Sequence, residues 1–266
     1  MEADKEKKIR IISWNVNGIR AAYRKGLLEF MRETDADIYC FQETKAREEQ
    51  LSPDLLEISG FNSYFSCPAR KGYSGVCIYS RVQPSEKVFN TGIKRFDDEG
   101  RMAGLRFGNT MLLNVYFPNG GASAERLEYK LDFYRHFLDI IQGYRQSGLS
   151  IIFCGDVNTA HREIDLARPH ANKDNTGFLP VERAWIDRVI DSGYIDIFRE
   201  FDRSPGRYTW WDYKTRARER NVGWRLDYFF VSGDINGCIS GSYIMDDIGG
   251  SDHCPVALEL PADLLE

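Results

Sequence analysis

Residues 150–159 constrain the fold of this chain more than any other stretch. The segment begins with Ser-Ile-Ile-Phe-Cys, a short apolar run typical of a buried β-strand. Asp156 and Asn158 follow where the strand ends, and side-chain alternation along a strand places both on one side of the backbone. A carboxylate and a carboxamide held together can activate water and bind an oxyanion or a metal ion. The alternative interpretation is an ordinary turn.

The same arrangement occurs in two earlier segments. Residues 9–15 form a predicted strand that ends in Asn15 and is followed by Asn17. Residues 37–42 form another, which ends before Glu43. Between them, apolar residues spaced along 24–33 predict a short amphipathic helix. The sequence thus repeatedly delivers an amide or a carboxylate from the end of an apolar strand.

The rest of the chain alternates further strands with two longer helices. A helix capped by Ser123 and stopped at Gly148 precedes the strand at 150, and a second helix covers 180–191. Further strands are predicted over 61–66, 75–80, 101–107, 110–117, 208–211, 224–232 and 255–260. This order suits two packed sheets flanked by helices. We expect one domain over 9–266 after a flexible tail at 1–8.

Composition limits the functional classes. The net charge of −5 argues against a protein that coats nucleic acid through bulk charge, although local basic patches can still bind phosphates. The charged N-terminus resembles no secretory signal, and no apolar run is long enough to span a membrane. The six cysteines are scattered without CxxC spacing, and several lie in apolar strand-like runs, which fits buried, reduced thiols better than disulfides or a zinc site. We therefore expect an intracellular protein, in the cytoplasm or nucleoid.

Polar side chains collect at the ends of the predicted strands. Taken singly, each is common in turns or structural hydrogen bonds. Taken together, they supply carboxylates for a hard cation, amides for phosphate oxygens and a histidine with acidic partners, which is the inventory for metal-assisted phosphodiester hydrolysis. They are Asn15, Asn17, Glu43, Tyr116, Asn119, Asp156, Asn158, Asp227, Asp252 and His253.

Seven ordered motifs carry a resemblance to a known family. They are Ser-Trp-Asn-Val-Asn-Gly-Ile-Arg (13–20), Gln-Glu-Thr-Lys (42–45), Gly-Tyr-Ser-Gly (72–75), Tyr-Phe-Pro-Asn (116–119), Gly-Asp-Val-Asn (155–158), Trp-Arg-Leu-Asp-Tyr (224–228) and Ser-Asp-His-Cys-Pro (251–255). In this order, over residues 9–260, they resemble the exonuclease III family of apurinic/apyrimidinic (AP) endonucleases.

The resemblance implies a fold and an activity. The fold is the four-layer α/β sandwich of endonucleases, exonucleases and phosphatases, with two mixed β-sheets packed face to face and helices outside. The activity is Mg²⁺-dependent cleavage 5′ to abasic sites in duplex DNA, with Mn²⁺ as a substitute, leaving a 3′-hydroxyl and a 5′-deoxyribose phosphate. Accessory 3′→5′ exonuclease and 3′-end cleaning are expected, whereas incision at damaged nucleotides that keep a base stays open.

The resemblance also implies roles for the strand-end residues. Glu43 is the principal metal ligand, and the metal region is completed by Asn15, Asn17, Asp252, Asp156 and Asn158. Asp156 positions and deprotonates the attacking water while Asn158 steadies it. His253, oriented by Asp227, binds the scissile phosphate together with Tyr116 and Asn119. Whether tyrosine, histidine or aspartate takes the proton stays open.

One position departs from the family pattern. Some relatives carry aspartate where this chain has Asn17, and a neutral amide adds no charge to a metal site. The sequence therefore favours one Mg²⁺ over two.

DNA contacts are expected from several loops. The loop 214–220 is basic and is flanked by tryptophans, and without the resemblance it would be a solvated loop beside core aromatics. By resemblance, Trp210, Trp224 and Leu226 line a pocket for the base-less sugar. The phosphate contacts expected are Arg70, Lys71, Tyr73, Asn119, Asn172, Asn175, Lys214, Arg216 and Arg218. The expected partner is damaged double-stranded DNA, bound by a monomer without membrane association.

Two other functions are compatible with parts of the sequence. A phosphatase or phosphodiesterase of the same fold, acting on a non-DNA phosphoester, shares Glu43, Asp156, Asn158 and His253. A non-catalytic DNA-binding scaffold would lack metal-binding or water-activating residues, and none is missing.

Overall fold

Twelve β-strands form two six-stranded sheets in the computed structural model, which describes residues 7–266. The strands are β1 Lys8–Asn15, β2 Ile38–Gln42, β3 Asn62–Ser66, β4 Val76–Ser80, β5 Glu86–Val88, β6 Met102–Phe107, β7 Thr110–Val115, β8 Ser150–Asp156, β9 Tyr194–Asp196, β10 Asp227–Ser232, β11 Gly241–Ile244 and β12 Val256–Pro261. A flexible tail was predicted over residues 1–8. Residues 1–6 of it lie outside the described part of the chain, and Lys8 is already the first residue of β1.

Helices connect and cover the strands. They are α1 Ile19–Arg24, α2 Leu27–Thr34, α3 Pro53–Leu56, α4 Lys94–Asp97, α5 Ala124–Gln146, α6 Pro169–Asn172, α7 Pro180–Asp191 and α8 Ile197–Phe201. Short 3₁₀ turns occupy Glu48–Gln50, Glu163–Asp165, Ala217–Arg220, Asn236–Cys238 and Ala262–Leu265. Among residues 7–266, no helix combines the length and apolar character that crossing a membrane requires.

Both sheets are mixed. The first has the order β11-β12-β1-β2-β4-β3 and the second β5-β6-β7-β8-β10-β9. Each contains one central parallel pair, β1 with β2 and β7 with β8, and its other pairings are antiparallel. The predicted fold class, two packed mixed sheets flanked by helices, is confirmed.

Three apolar layers explain the stacking. Alternating residues of β1 point in opposite directions: Ile11 enters the core between the sheets, whereas Ile12 packs towards α1 and α2. On the second sheet, Phe153 packs against α5 and α7 on the outer side, and Ile152 enters the core between the sheets. The order of layers is therefore helix, sheet, sheet, helix.

Some local predictions were wrong. The helix predicted over 24–33 is present as α2, but it begins only at Leu27, because Gly26, with φ of 95°, takes a left-handed conformation, and the preceding helix α1 was not predicted. The strand predicted over 208–211 is reduced to isolated bridges from Trp210 to Trp224 and His253. The strands β5, β9 and β11 escaped prediction since three or four residues show no usable periodicity.

The cysteine prediction is largely confirmed. All six thiols are unpaired, and Cys40, Cys77, Cys154 and Cys254 are buried. Cys67 is half-buried and Cys238 is exposed.

A buried amide joins the two sheets. Asn114 of β7 donates hydrogen bonds to the carbonyl oxygens of Phe41 and Cys77 in the opposite sheet, at 3.0 and 2.8 Å. Its own oxygen accepts a hydrogen bond from Gln42 at 2.7 Å. Because these groups are shielded from water, each depends on the others for its hydrogen bonds.

We expect Asn114→Ala to lower the free energy of unfolding by about 2 to 3 kcal/mol, since it leaves buried carbonyl and amide groups without partners. Urea unfolding would measure the change. Asn109→Ala, in the exposed turn between β6 and β7, is the control and should stay within about 0.5 kcal/mol. A loss below about 1 kcal/mol for Asn114→Ala would contradict a role in joining the sheets.

Candidate active site

The strand topology brings the predicted site residues to one edge of the sandwich. The parallel strands β1 and β2 end together, at Asn15 and just before Glu43. In the second sheet, antiparallel pairing places the first residue of β10, Asp227, directly opposite the last residue of β8, Asp156. His253 precedes β12, which runs antiparallel to β1. Strand ends from both sheets therefore meet.

Glu43 receives hydrogen bonds from three directions. Its Oε1 accepts from Asn15 Nδ2 at 3.0 Å and from the Tyr116 hydroxyl at 2.7 Å. Its Oε2 lies 2.7 Å from Lys45 Nζ. Burial alone would raise the pKa of Glu43, but Lys45 and the hydrogen bonds lower it below the ordinary value. Glu43 is therefore an ionised carboxylate held in a fixed position.

Asp156 and Asn158 lie side by side, but a turn after the end of β8, and not the predicted strand alternation, brings them together. The Asp156 Oδ1 accepts from the backbone N–H of Asn158 at 2.8 Å, and Oδ2 accepts from Asn158 Nδ2 at 3.0 Å. Asn158 has φ of 57°, a left-handed conformation that asparagine tolerates and that turns the chain back towards the carboxylate. Its Oδ1 accepts from Asn119 at 3.0 Å.

His253 is paired with one aspartate and lies near a second. Its Nδ1 lies 2.8 Å from Asp227 Oδ2, and its Nε2 lies 3.8 Å from Asp156 Oδ2. The other oxygen of Asp227 is buried without a hydrogen-bond partner among the described residues. The pairing fixes the ring so that Nε2 points towards Asp156 and the cavity.

The electrostatics separate donors from a base. Burial would lower the pKa of His253, but Asp227 and Asp156 raise it to about 10. Burial, and then the charges of Glu43 and Asp156, raise the pKa of Tyr116 well above its usual value. Burial also raises the pKa of Asp156 far above that of an ordinary aspartate, towards neutrality. His253 and Tyr116 are thus protonated donors, and Asp156 has the basicity that proton transfer near neutral pH requires.

These groups line a cavity of about 300 Å³ with one aromatic wall. Trp210 and Trp224 meet edge to face, with ring centroids 6.5 Å apart, and Leu226 lies beside them. The lining consists of Glu43, Tyr116, Asn119, Asp156, Asn158, Thr176, Gly177, Trp210, Trp224, Leu226, Asp252 and His253. Polar catalytic candidates and an apolar surface therefore share one compartment.

Of the predicted phosphate contacts, Asn119 lines the cavity and the others lie outside its lining. Lys214, Arg216, Arg70 and Lys71 are exposed. Arg218 is different: it donates to the carbonyl oxygens of residues 246 and 248, both at 2.7 Å, and its guanidinium packs on a tryptophan ring. Two others are also engaged, since the Tyr73 hydroxyl accepts from two arginines and Asn172 donates to a backbone carbonyl and accepts from Asn175.

Sequence reasoning missed several members of the site. Lys45 lies within a quoted motif, but its contact with Glu43 depends on its own left-handed backbone, with φ of 51°. Thr176 and Gly177 line the cavity from a loop that has no periodic pattern. The one available signal in the sequence was the position of Lys45, a charged residue two positions after the metal-binding candidate Glu43.

The donor set fits a divalent cation. Glu43 and Asp252 are carboxylates whose pKa values stay low despite burial, and both line the cavity. The Lys45 ammonium lies between Glu43 and the side-chain oxygen of Asn17, so these oxygens already accommodate a positive charge. Asn17 also donates to Asp252 at 2.9 Å, which links the two carboxylates. Hard oxygen donors of this kind suit Mg²⁺.

A second group of potential ligands is less suited to a metal. Ligand atoms of Asp156, Asp227 and His253 lie within 4.8 Å of one another. However, His253 is protonated and engages Asp227, so its ring offers no free lone pair. This trio is better suited to binding a phosphate and a water molecule.

Known proteins resemble the chain over nearly its whole length. Residues 12–253 match the Endonuclease/Exonuclease/phosphatase family. The chain is 40% identical over 252 residues to the exodeoxyribonuclease of Bacillus subtilis, covering 94% of this chain and 98% of that protein. It is 36% identical to the DNA repair nuclease APEX1 of Danio rerio, covering 95% and 82% of the two chains. The solved AP endonuclease LMAP from Leishmania major superposes with a TM-score of 0.86 at 26% identity, over 98% and 90% of the chains.

We expect His253 to remain protonated at neutral pH in DNA-free, metal-free protein, which NMR of ¹⁵N-labelled histidine rings would show. Its pKa of about 10 exceeds the value of about 6.5 in unfolded chains, so the stability it contributes is fully present below pH 6.5. That contribution is lost as the pH rises through 10. Asp227→Asn should lower the pKa, whereas His136→Gln, on α5, should leave the His253 signal unchanged. Titration of His253 below pH 7 would contradict the assignment.

Proposed function

This chain belongs to the endonuclease/exonuclease/phosphatase family, and we propose that it is a DNA-repair nuclease that cuts the phosphodiester 5′ to abasic sites in duplex DNA. The products are a 3′-hydroxyl and a 5′-deoxyribose phosphate. The names of its relatives, an exodeoxyribonuclease and a DNA repair nuclease, support this class of activity. The first name also supports accessory 3′→5′ exonuclease activity, and we propose cleaning of blocked 3′ ends as a further accessory activity. The candidate site is built within one chain, which fits a monomer.

The observation that carries this proposal is the pairing of a protonated histidine with a basic aspartate. His253 Nε2 and Asp156 Oδ2, 3.8 Å apart, face the same cavity. A phosphate bound in the cavity beside this pair would receive a charge-assisted hydrogen bond from the imidazolium. A water molecule bound at Asp156 would lose its proton to the carboxylate as it attacks phosphorus. The orientation by Asp227 keeps His253 the donor in this step.

The remaining polar groups hold the reacting atoms in place. Asn158 fixes the Asp156 carboxylate through two hydrogen bonds, and Asn119 in turn fixes Asn158. The Tyr116 hydroxyl is a donor near the phosphate because its pKa is raised. Of the three candidate proton acceptors, Asp156 is therefore the one we assign as base.

A divalent metal would be held by Glu43 and Asp252, with Asn15 and Asn17 completing the surroundings. When bound, Mg²⁺ or Mn²⁺ supplies positive charge that stabilises the leaving 3′-oxygen. The neutral Asn17 adds no charge, and we propose a single metal ion for this reason.

The aromatic wall accounts for selection of abasic sites. Trp210, Trp224 and Leu226 form one wall of the cavity of about 300 Å³, and this apolar surface suits a sugar without its base. A base-less nucleotide loses less stacking energy when it is extruded from the duplex, so it enters at lower cost. The lower cost of extrusion and the apolar wall together favour an abasic site over an intact nucleotide.

Exposed cations in the loops 70–75 and 214–220 are the proposed contacts to the DNA backbone. We assign Lys214 and Arg216, together with Arg70 and Lys71, to phosphates because their side chains are exposed. Arg218 instead fastens the loop through two backbone carbonyls, and we assign it an indirect role. Tyr73, Asn172 and Asn175 remain candidate contacts.

We expect magnesium-dependent nicking of a duplex that contains one tetrahydrofuran site, followed on a denaturing gel. Asp156→Asn should lower the single-turnover rate by roughly 10²- to 10⁴-fold, because it removes the general base. Asp139→Asn, an exposed acid on α5, is the matched control and should cut at the parental rate. No cleavage by the parent enzyme, with phosphate release from an inositol phosphate, would instead favour a phosphatase of the same fold.

We expect Glu43→Gln to raise the Mg²⁺ concentration needed for half-maximal nicking by at least about tenfold, since the ligand loses its charge. Binding of abasic DNA in EDTA, measured by fluorescence anisotropy, should change little. Glu49→Gln, an exposed acid in a 3₁₀ turn, controls for general charge effects. An unchanged metal requirement would remove Glu43 from the metal site.

A further inference from the structure

A fully buried ion pair lies behind the candidate site. Lys130 of α5 and Glu182 of α7 have no exposed side-chain surface, and Lys130 Nζ lies 2.6 Å from Glu182 Oε1. Burying two charges is costly unless each is paired and fully hydrogen-bonded. The partners of this pair are therefore informative.

The Lys130 ammonium uses all three of its N–H donors. Besides Glu182, it donates to the backbone carbonyl of Asn158 at 2.7 Å and to the Thr159 hydroxyl at 2.9 Å. Asn158 is the residue that fixes the Asp156 carboxylate. Lys130 thus holds the backbone of the turn that carries the proposed base.

Glu182 fastens the facing loop. Its Oε2 accepts from the backbone N–H groups of Gly177 and Leu179 at 2.6 and 3.0 Å, and its Oε1 also accepts from Thr176 at 2.9 Å. Thr176 and Gly177 line the cavity. One carboxylate thereby sets the shape of the loop that walls the site.

The turn and the loop are in direct contact. The backbone N–H of Ala160 donates to the carbonyl of Gly177 at 2.8 Å. A Cβ at Gly177 would lie 3.3 Å from both the carbonyl oxygen of Asn158 and the Trp224 ring. The distance between the turn at Asn158 and the 176–179 loop is therefore tied to the Lys130–Glu182 ion pair beneath them.

We propose that Lys130 and Glu182 are positioning residues that set Asn158 and the 176–179 loop at a fixed separation, and so shape the site for its substrate. This inference rests on the proposed function for its kinetic consequence. Its structural consequence, an ordered loop and turn, is independent of that function. The two can therefore be tested separately.

The structural test uses hydrogen exchange in the full-length protein without DNA. Glu182→Gln is nearly isosteric, but whichever way its amide faces, an N–H₂ group replaces an acceptor needed by Lys130 and Thr176 or by the two backbone amides. We expect exchange at Gly177 and Leu179 to accelerate at least about tenfold while strands β8 and β10 stay protected. Unchanged exchange at both amides, or acceleration throughout the protein, would overturn the proposal.

The kinetic test uses duplex oligonucleotides that each contain one abasic site. Lys130→Met should lower mainly kcat, because the turn carrying Asn158 and Asp156 shifts, and Glu182→Gln should raise mainly KM through the displaced wall. The loss in kcat/KM should be roughly 10- to 100-fold for each. Lys130→Met leaves the Glu182 charge buried without a partner, which can prevent folding. In that case the double variant Lys130→Met/Glu182→Gln, which removes both charges, is measured in its place.

The control is Ile141→Ala on the same helix α5. This residue is buried in the outer core, so its truncation lowers stability without touching the turn or the loop. It should keep parental kcat and KM. Equal kinetic losses in the control, or values within twofold of the parent for both test variants, would overturn the proposal. A parent enzyme that cuts no abasic DNA would refute the proposed function and leave the exchange result to judge the positioning role.

Discussion

The site depends on the hydrogen bonds that the side-chain amide of Asn15 donates. Its Nδ2 donates at 3.0 Å both to Glu43, beside the first sheet, and to Asp156, at the end of a strand in the second. The two carboxylates therefore keep their spacing only if the sheets stay packed in register. The buried amide of Asn114 joins the same sheets deeper in the core. Core packing and active-site geometry are thus one constraint.

Four acids collected at one edge create an electrostatic problem that defines the chemistry. Like charges in a buried setting raise one another's pKa values, so the cluster needs cations or protons. Lys45 compensates Glu43, and His253 compensates Asp227. Asp156 has no such dedicated partner, and burial raises its pKa most directly. The negative charge of Asp156 is less well compensated than that of its neighbours, and the raised pKa that results makes this aspartate a base.

Much of the site was predictable because it follows from strand periodicity. Asn15, Glu43, Asp156 and Asp227 lie at strand ends, and a mixed topology with parallel centres carries such ends to one edge. Contacts made by long side chains were not predictable. Arg218 was expected to face DNA, yet it binds two backbone carbonyls, a choice that depends on where residues 246–248 fold back. Short elements such as β9 exist through pairing with β10 and lack a local signal.

Charge distribution reconciles an acidic chain with a polyanionic substrate. The net charge is −5, but the acids nearest the cavity are buried or half-buried and are paired with His253, Lys45 or amides. Their field is consequently weakened at the surface, whereas Lys214 and Arg216 are exposed. Because screening in salt limits attraction to roughly 8–10 Å, a phosphate responds to these nearby cations and little to acids elsewhere on the chain. Local placement of charge, and not the total, therefore decides whether DNA can approach this site.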